Sequence, residues 1–386
     1  MIIRTSVAAL LMSGAASLLA LPALAQGTIK IGVNQPLTGP VAASGQYVTN
    51  GARIAADQIN AAGGILGSKI ELVIEDNKSN PTEAAAAAEK LIVRDKVPVM
   101  LGAWSSTFTL AVMPKLMEYE VPMVVETSSS GKITESGNPW IFRIAPTTSM
   151  ETKDFAKKID KFAIKRANFL VVNNDFGIDA ATKFSELVKS HGGTVGVVER
   201  MDPTAQDVSA QLAKIKASDA DTLFITTSVE QLTLVLRQAQ ALRLTQRIIT
   251  TGGSQAPDQL IEHAGPAAEG SYHLVFFTPW FPENAPNADV AVGLVNEWKK
   301  RGYQFAGLTE GFRGYDGILT IAAAIKEAGK AEPKAIQQAF WKVKVKGANG
   351  DIAFEKSGPA GKESGQNVPN VYVIQIKDGK VTLPAF

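Results

Sequence analysis

The sequence predicts an α/β protein made of two doubly wound parallel-sheet lobes, and two observations predict it. Short buried-type strands alternate with helix-patterned segments through most of the chain, the pattern of parallel sheets with helical crossovers. Five of those strands run directly into a short polar loop: VPVMLG (97–102), VPMVV (121–125), NFLVV (168–172), TLFIT (222–226) and IIT (248–250). The loops are Trp104-Ser105-Ser106-Thr107, Thr127-Ser128-Ser129-Ser130, Asn174-Asp175-Phe176-Gly177, Thr227-Ser228 and Thr251-Gly252-Gly253. In open parallel sheets, ligands bind beyond the carboxyl ends of the strands. Small hydroxyl residues and glycines there leave backbone N–H groups at helix starts free to meet an anion. Ser and Thr also cap helices, which accounts for any one loop alone. Five loops in two groups point to a cleft between two units.

The elements follow in order. Residues 28–39 read as a strand and a loop. A helix is expected over 47–62 with Ile54, Ala55 and Ile59 inward, ended by Gly63-Gly64. Strand 69–75 alternates Ile70, Leu72 and Ile74, and an Ala-rich helix over 81–94 opens on Pro81, where a missing N–H is harmless. Strand 97–102, helix 107–119 and strand 121–125 complete the first unit. The pattern pauses at 140–146. It restarts with helix 150–162, strand 168–172, helix 178–190, strand 194–198, helix 207–217, strand 222–226, helix 230–243 and strand 247–251. Beyond lie a strand at 272–277, a stiff aromatic segment at 278–282, helices at 288–301, 315–328 and 335–341, and short strands at 351–354 and 371–376. This last third is too small for a domain of its own. It is expected to complete the first two, which requires three crossings between them.

Composition narrows the class. The 386 residues are 45% hydrophobic and 20% charged, ordinary globular values at a length that suggests two domains. Residues 1–25 read as a signal peptide. Arg4 gives the basic start, 7–21 is apolar, and Ala23-Leu24-Ala25 fits the cleavage pattern, so the cut is expected after Ala25. The apolar run is interrupted by Ser13, Gly14 and Ser17 and falls short of the ~20 residues of a spanning helix. An exported, soluble protein with a formal charge of +1 is the expectation, since Arg4 carries the only charge of the leader. Acidic and basic residues are interspersed, which argues against a nucleic-acid surface. Lys342, Lys344 and Lys346 alternate with valines, as on the solvent face of a strand or loop. There is no cysteine, which excludes disulfides, thiolate chemistry and a lipid-modified terminus. Stability must come from the hydrophobic core.

Enzyme signatures are poor, and no cofactor or metal is expected. His191, His263 and His273 have no partner at metal-ligand spacing. No nucleophile elbow occurs. Gly131-Lys132 lacks the rest of a phosphate loop. Gly311-x-x-Gly314-x-x-Gly317 has the wrong spacing for a dinucleotide and reads as tight helix packing. The acids nearest the loops are Glu75, Asp76, Glu126, Asp175 and Glu230; Glu126 or Glu230 could reach the cleft, though each also reads as solvent-facing.

Several stretches resemble a known family. DQINAAGGILGSKIELVIEDNKSNPTEAAAAAEKLI (57–92), GAWSSTFTLAVMPKLMEYEVPMV (102–124), LRQAQALRL (236–244), GYDGILTIAAAIKEAG (314–329) and NGDIAFEKSG (349–358) are similar, in order, to periplasmic substrate-binding proteins of the leucine/isoleucine/valine class. The resemblance implies a clamshell whose lobes are joined by a three-segment hinge. It implies lobe one at 27–145 plus 277–352 and lobe two at 146–276 plus 353–386, with crossings near 143–147, 272–278 and 350–357. It further implies a monomer that delivers a small carboxylate ligand to a membrane ABC permease and is not an enzyme. A sensor for a membrane receptor built on the same clamshell, and an exported enzyme, are the other classes.

The resemblance also implies site residues. Ser105, Ser106 and Ser129, with Thr127 nearby, match the positions that hold the ligand carboxylate. The amine end departs from the family. Phe176 and Ser228 stand where amino-acid binders place tyrosines, and 251–253, including Thr251, lacks the family's acid. Ser44 replaces an aromatic pocket residue, while Trp104, Trp280 and Phe281 supply rings elsewhere. A buried ammonium without a carboxylate partner is costly. The pocket therefore leans toward a carboxylate on an apolar or aromatic body. A branched-chain amino acid stays open, with Glu230 as a substitute acid.

Overall fold

The computed structural model describes residues 27–385, so the leader and its cleavage site lie outside the described residues. Strands β1 (Thr28–Gln35), β2 (Lys69–Asp76), β3 (Met100–Gly102), β4 (Met123–Val125) and β5 (Ile141–Arg143) alternate with helices α1 (Ala42–Ala61), α2 (Pro81–Glu89), α3 (Ser106–Tyr119) and α4 (Lys132–Glu135). The second unit holds β6 (Arg166–Val172), β7 (Thr194–Met201), β8 (Thr222–Thr226), β9 (Arg247–Thr250) and β10 (Tyr272–Val275), with α5 (Thr148–Ala156), α6 (Asp175–Ser190), α7 (Ser209–Lys216), α8 (Val229–Ala241) and α9 (Pro257–Ala264). Then come α10 (Ala288–Lys300), α11 (Leu308–Ala328), α12 (Pro333–Phe340) and the hairpin β11 (Val345–Gly347) and β12 (Gly350–Ile352). The chain ends with β13 (Glu355–Ser357), β14 (Ser364–Gln366), β15 (Tyr372–Lys377) and β16 (Lys380–Thr382).

Two seven-stranded sheets result, ordered β13-β14-β5-β4-β3-β1-β2 and β16-β15-β10-β9-β8-β6-β7. Their parallel cores share one order, 2-1-3-4-5, so the winding reverses at β1 in one lobe and at β6 in the other. Ligand crevices open at such reversals. Both faces of each sheet are covered, as parallel sheets require. In the first, Ile31, Val33 and Leu101 face Trp298 and Ile318, while Met100, Met123 and Ile141 face Phe108 and Val112. In the second, Leu170 and Ile225 face Leu232 and Val235, and Phe169 and Phe224 face Phe155 and Phe184.

The glycine run of α11 packs against α1 at backbone contact. A Cβ on Gly51 would lie 1.7 Å from the Gly311 carbonyl oxygen, and one on Gly314 would lie 1.9 Å from that of Val48. Both helices begin earlier than the sequence pattern suggests. The first turn of α1 therefore contains Ser44, and that of α11 contains Glu310.

The chain passes between lobes at 144–147, 276–281 and 367–371. The third crossing differs from the sequence expectation near 350–357. Gly365 and Gln366 pair in parallel with Phe142 and Arg143, and β13 pairs with β14, so 355–366 extends the first sheet rather than the second. Alternation alone cannot show which sheet a three-residue strand joins. Among the described residues, no helix is long and apolar enough to cross a membrane, and no cluster of acids and histidines could hold a metal ion.

Candidate ligand site

A cavity of about 280 Å³ lies between the lobes, walled by the loops after β3, β4, β6, β8 and β9. Seven of the nine residues singled out in the sequence line it: Trp104, Ser105, Ser106, Thr127, Ser129, Phe176 and Ser228. No charged side chain is among the lining residues.

The hydroxyls differ in what they are free to do. Ser105 precedes α3 with extended backbone and makes no side-chain capping bond. Ser106 Oγ accepts the Ser130 N–H at 3.2 Å. Ser128 Oγ donates to the Trp104 carbonyl at 2.8 Å and meets Thr109 Oγ1 at 2.8 Å, so it braces the wall. Ser129 Oγ is buried and has no hydrogen-bond partner. A buried hydroxyl without a partner is unfavourable and marks a place where a ligand acceptor can sit. The start of α3 adds a helix N-terminus, whose partial positive charge favours an anion.

Two rings line the same space. Trp104 holds φ +68°, a left-handed conformation rare for a bulky residue, and its Nε1 donates to Glu310 Oε2 at 3.2 Å. Gly252, at φ +91°, lets its loop press on Phe176: a Cβ there would lie 2.2 Å from the ring. Asn174 caps α6 by accepting the Gly177 N–H at 3.0 Å.

Ser44 and Thr251 do not line the cavity. Ser44 is fully buried, and its N–H and Oγ both donate to Glu230 Oε1, at 3.3 and 3.1 Å. Thr251 Oγ1 is shared with Thr226 Oγ1 at 2.7 Å. In both cases a protein partner takes the hydroxyl. Glu230 is not a lining residue either. Burial raises its pKa against the hydrogen bonds from Ser228 and Ser44, and its Oε2 is buried without a partner. Thr204, Gln231, Asn173 and Ser254 line the cavity and were missed. Asp202-Pro203 signals a turn, but nothing local tells that the turn folds over a pocket.

The lobes touch across the cleft. Besides Ser44 and Glu230, Thr107 Oγ1 donates to Asp175 Oδ2 at 3.0 Å, Lys132 pairs with Asp175 at 2.9 Å, and Arg313 Nη2 donates to the Gly253 carbonyl at 2.7 Å.

Ionisable groups crowd the hinge just beyond the cavity. Arg313 meets Glu310 at 3.4 Å, with both side chains buried. Burial pushes Glu126 up to about 7 despite the bond from Gln35 Nε2. It pushes Glu151, which accepts the Gly252 N–H, up to about 8. Asp316 rises to about 7 for the same reason, against bonds from the Ala348 and Asn349 N–H groups. Burial pulls Arg143 down to about 9, against the more distant charges of Glu135 and Asp179. It remains a cation at neutral pH.

A two-lobed α/β architecture with a cavity between the lobes is the form of a small-molecule binding protein, and the comparisons agree. A family model described as periplasmic binding protein matches residues 28–380, and the chain belongs to that family. The fold is that of the type I periplasmic binding proteins. The chain is similar to the leucine-, isoleucine-, valine-, threonine-, and alanine-binding protein of Pseudomonas aeruginosa, 28% identical over 336 residues that cover 87% of this chain and 88% of that one. Among solved structures, the leucine binding protein LivK of Thermotoga maritima aligns with a TM-score of 0.79 at 29% identity, covering 92% of this chain and 98% of that one. A solute binding protein of an ABC transporter from R. palustris, in complex with 4-hydroxybenzoate, aligns with a TM-score of 0.79 at 26% identity, covering 93% and 96%.

Proposed function

We propose that the chain is the exported solute-binding component of an ABC importer, and that it captures a small carboxylate with an aromatic or apolar body and no α-ammonium group. The observation that carries this reading is a wall without charged side chains that still offers an unpaired buried hydroxyl, Ser129 Oγ. Ser105 and the α3 N-terminus suit a carboxylate, while Trp104 and Phe176 suit a ring. An ammonium would find no lining acid. The R. palustris relative with bound 4-hydroxybenzoate supports a ligand of this kind. A branched-chain amino acid is the second reading, favoured by the Pseudomonas relative's name and by the unpartnered Oε2 of Glu230 near the cleft.

A thermal-shift screen separates them. At about 100-fold its Kd, a ligand stabilises by about 2.7 kcal/mol. Benzoate and 4-hydroxybenzoate are expected to shift the transition, and leucine, isoleucine and valine are not. Stabilisation by leucine alone would replace the first reading by the second.

A further inference from the structure

Arg143 is a buried cation with no anion in hydrogen-bond contact; the carboxylates of Glu135 and Asp179 act on it only from a distance. It is wholly excluded from solvent at the end of β5. Its Nε donates to Gln366 Oε1 at 2.7 Å and its Nη2 to Thr134 Oγ1 at 2.5 Å. Its Nη1 donates to the carbonyls of Ser128 and Ser130, at 3.1 and 2.7 Å. Every one of these acceptors is neutral, and none of the ion pairs among the described residues includes Arg143. Arg313, the other buried arginine of this layer, has Glu310 beside it. Leaving a buried charge unpaired is costly, and a nearby anion relieves that cost.

The two carbonyls that Arg143 holds flank Ser129, whose Oγ lines the cavity and lacks a partner. A trans peptide sets its N–H opposite its C=O. Drawing the Ser128 carbonyl toward Arg143 therefore turns the Ser129 N–H away from the guanidinium. The cation also sits one peptide behind the hydroxyl, inside the low-dielectric interior where its field is weakly screened.

We propose that Arg143 is the specificity-determining charge of the site: acting through the Ser128–Ser130 loop, it supplies the positive field that selects a carboxylate although no lining residue is charged. This rests on the reading of the cavity as a carboxylate site, but it does not depend on whether the carboxylate is aromatic. Arg143 is a positioning residue, since it reaches the ligand only through the loop.

The test compares a carboxylate with its uncharged amide: benzoate against benzamide, and leucine against leucinamide, by calorimetric titration. Wild type is expected to favour the carboxylate of whichever pair it binds by at least about 100-fold. Near-equal affinity for acid and amide in wild type overturns the proposal without any variant. Arg143→Gln removes the charge and keeps a donor; the acid-to-amide ratio is expected to fall about 10-fold or more, with amide affinity little changed. A purely structural role would weaken both alike and leave the ratio as it was, which refutes the proposal. Arg143→Lys keeps the charge, so it is expected to retain most of the ratio. That variant decides the matter should Arg143→Gln not fold: a Lys variant that binds the amide but has lost the acid preference counts against the proposal. Preference for leucine over benzoate with an Arg143-dependent ratio would overturn the ligand reading and leave this one standing.

Discussion

The cavity and the hinge layer behind it differ sharply in charge. The cavity wall carries hydroxyls, amides, apolar groups and rings but no ionisable side chain. The hinge layer buries Glu126, Arg143, Glu151, Glu310, Arg313 and Asp316. On the proposed reading, a carboxylate would meet only neutral donors at the wall, with the Arg143 charge one peptide behind them.

Unbalancing the hinge should have the largest effect. Arg313→Ala leaves Glu310 buried without its cation and cuts the link to the Gly253 carbonyl. A loss of about 3–5 kcal/mol in unfolding free energy is expected in denaturant titration. A loss under about 1 kcal/mol would mean that the hinge charges are not coupled as described. The acids give the next effect. Glu126, Glu151 and Asp316 have pKa values raised in the folded state, so each binds its proton more tightly there than in the unfolded chain. Their stabilising contribution is fully present below about pH 4 and is lost as pH rises through 7–8. The unfolding temperature should therefore fall between pH 5 and pH 8. Glu151→Gln, which can still accept the Gly252 N–H, should flatten that slope. A stability that rises over this range in wild type would contradict the assignment.

Smaller effects sharpen the cavity side. Ser129→Ala and Ser105→Ala should each weaken carboxylate binding by about 1–3 kcal/mol, roughly 5- to 150-fold, with unfolding unchanged. Unchanged affinity in both would remove them from the site. Smallest is Lys132→Ala. Its ion pair with Asp175 spans the lobes, but the lysine is 70% exposed, so no more than about 0.5 kcal/mol should be lost from ligand binding.

The same contrast governs what the sequence reveals. Strand–loop junctions are local, so Ser105, Ser129 and Phe176 are legible from a buried strand followed by polar residues. The α/β alternation and the tight α1–α11 packing are legible for the same reason. Ser44 was drawn from correspondence with a family pattern and Thr251 from a strand–loop junction, yet here each hydroxyl is taken by a side chain far along the chain, Glu230 or Thr226. The third crossing escaped because β13 and β14 are three residues long and their pairing with β5 is non-local. Arg143 and Arg313 gave no signal, since IFR lies where the strand–helix alternation pauses and GFRG reads only as tight helix packing until burial and partners are known. Thr204 and Gln231 enter the wall only through lobe two's tertiary arrangement.

Competition titration separates the two ligand readings: 4-hydroxybenzoate and leucine are each titrated into the mature protein alone and in the presence of the other. Saturable binding of 4-hydroxybenzoate that leucine does not displace is expected, with no heat of binding from leucine alone. Saturable leucine binding with none from 4-hydroxybenzoate would contradict it, and would make Glu230 the first residue to test as the partner of an ammonium group.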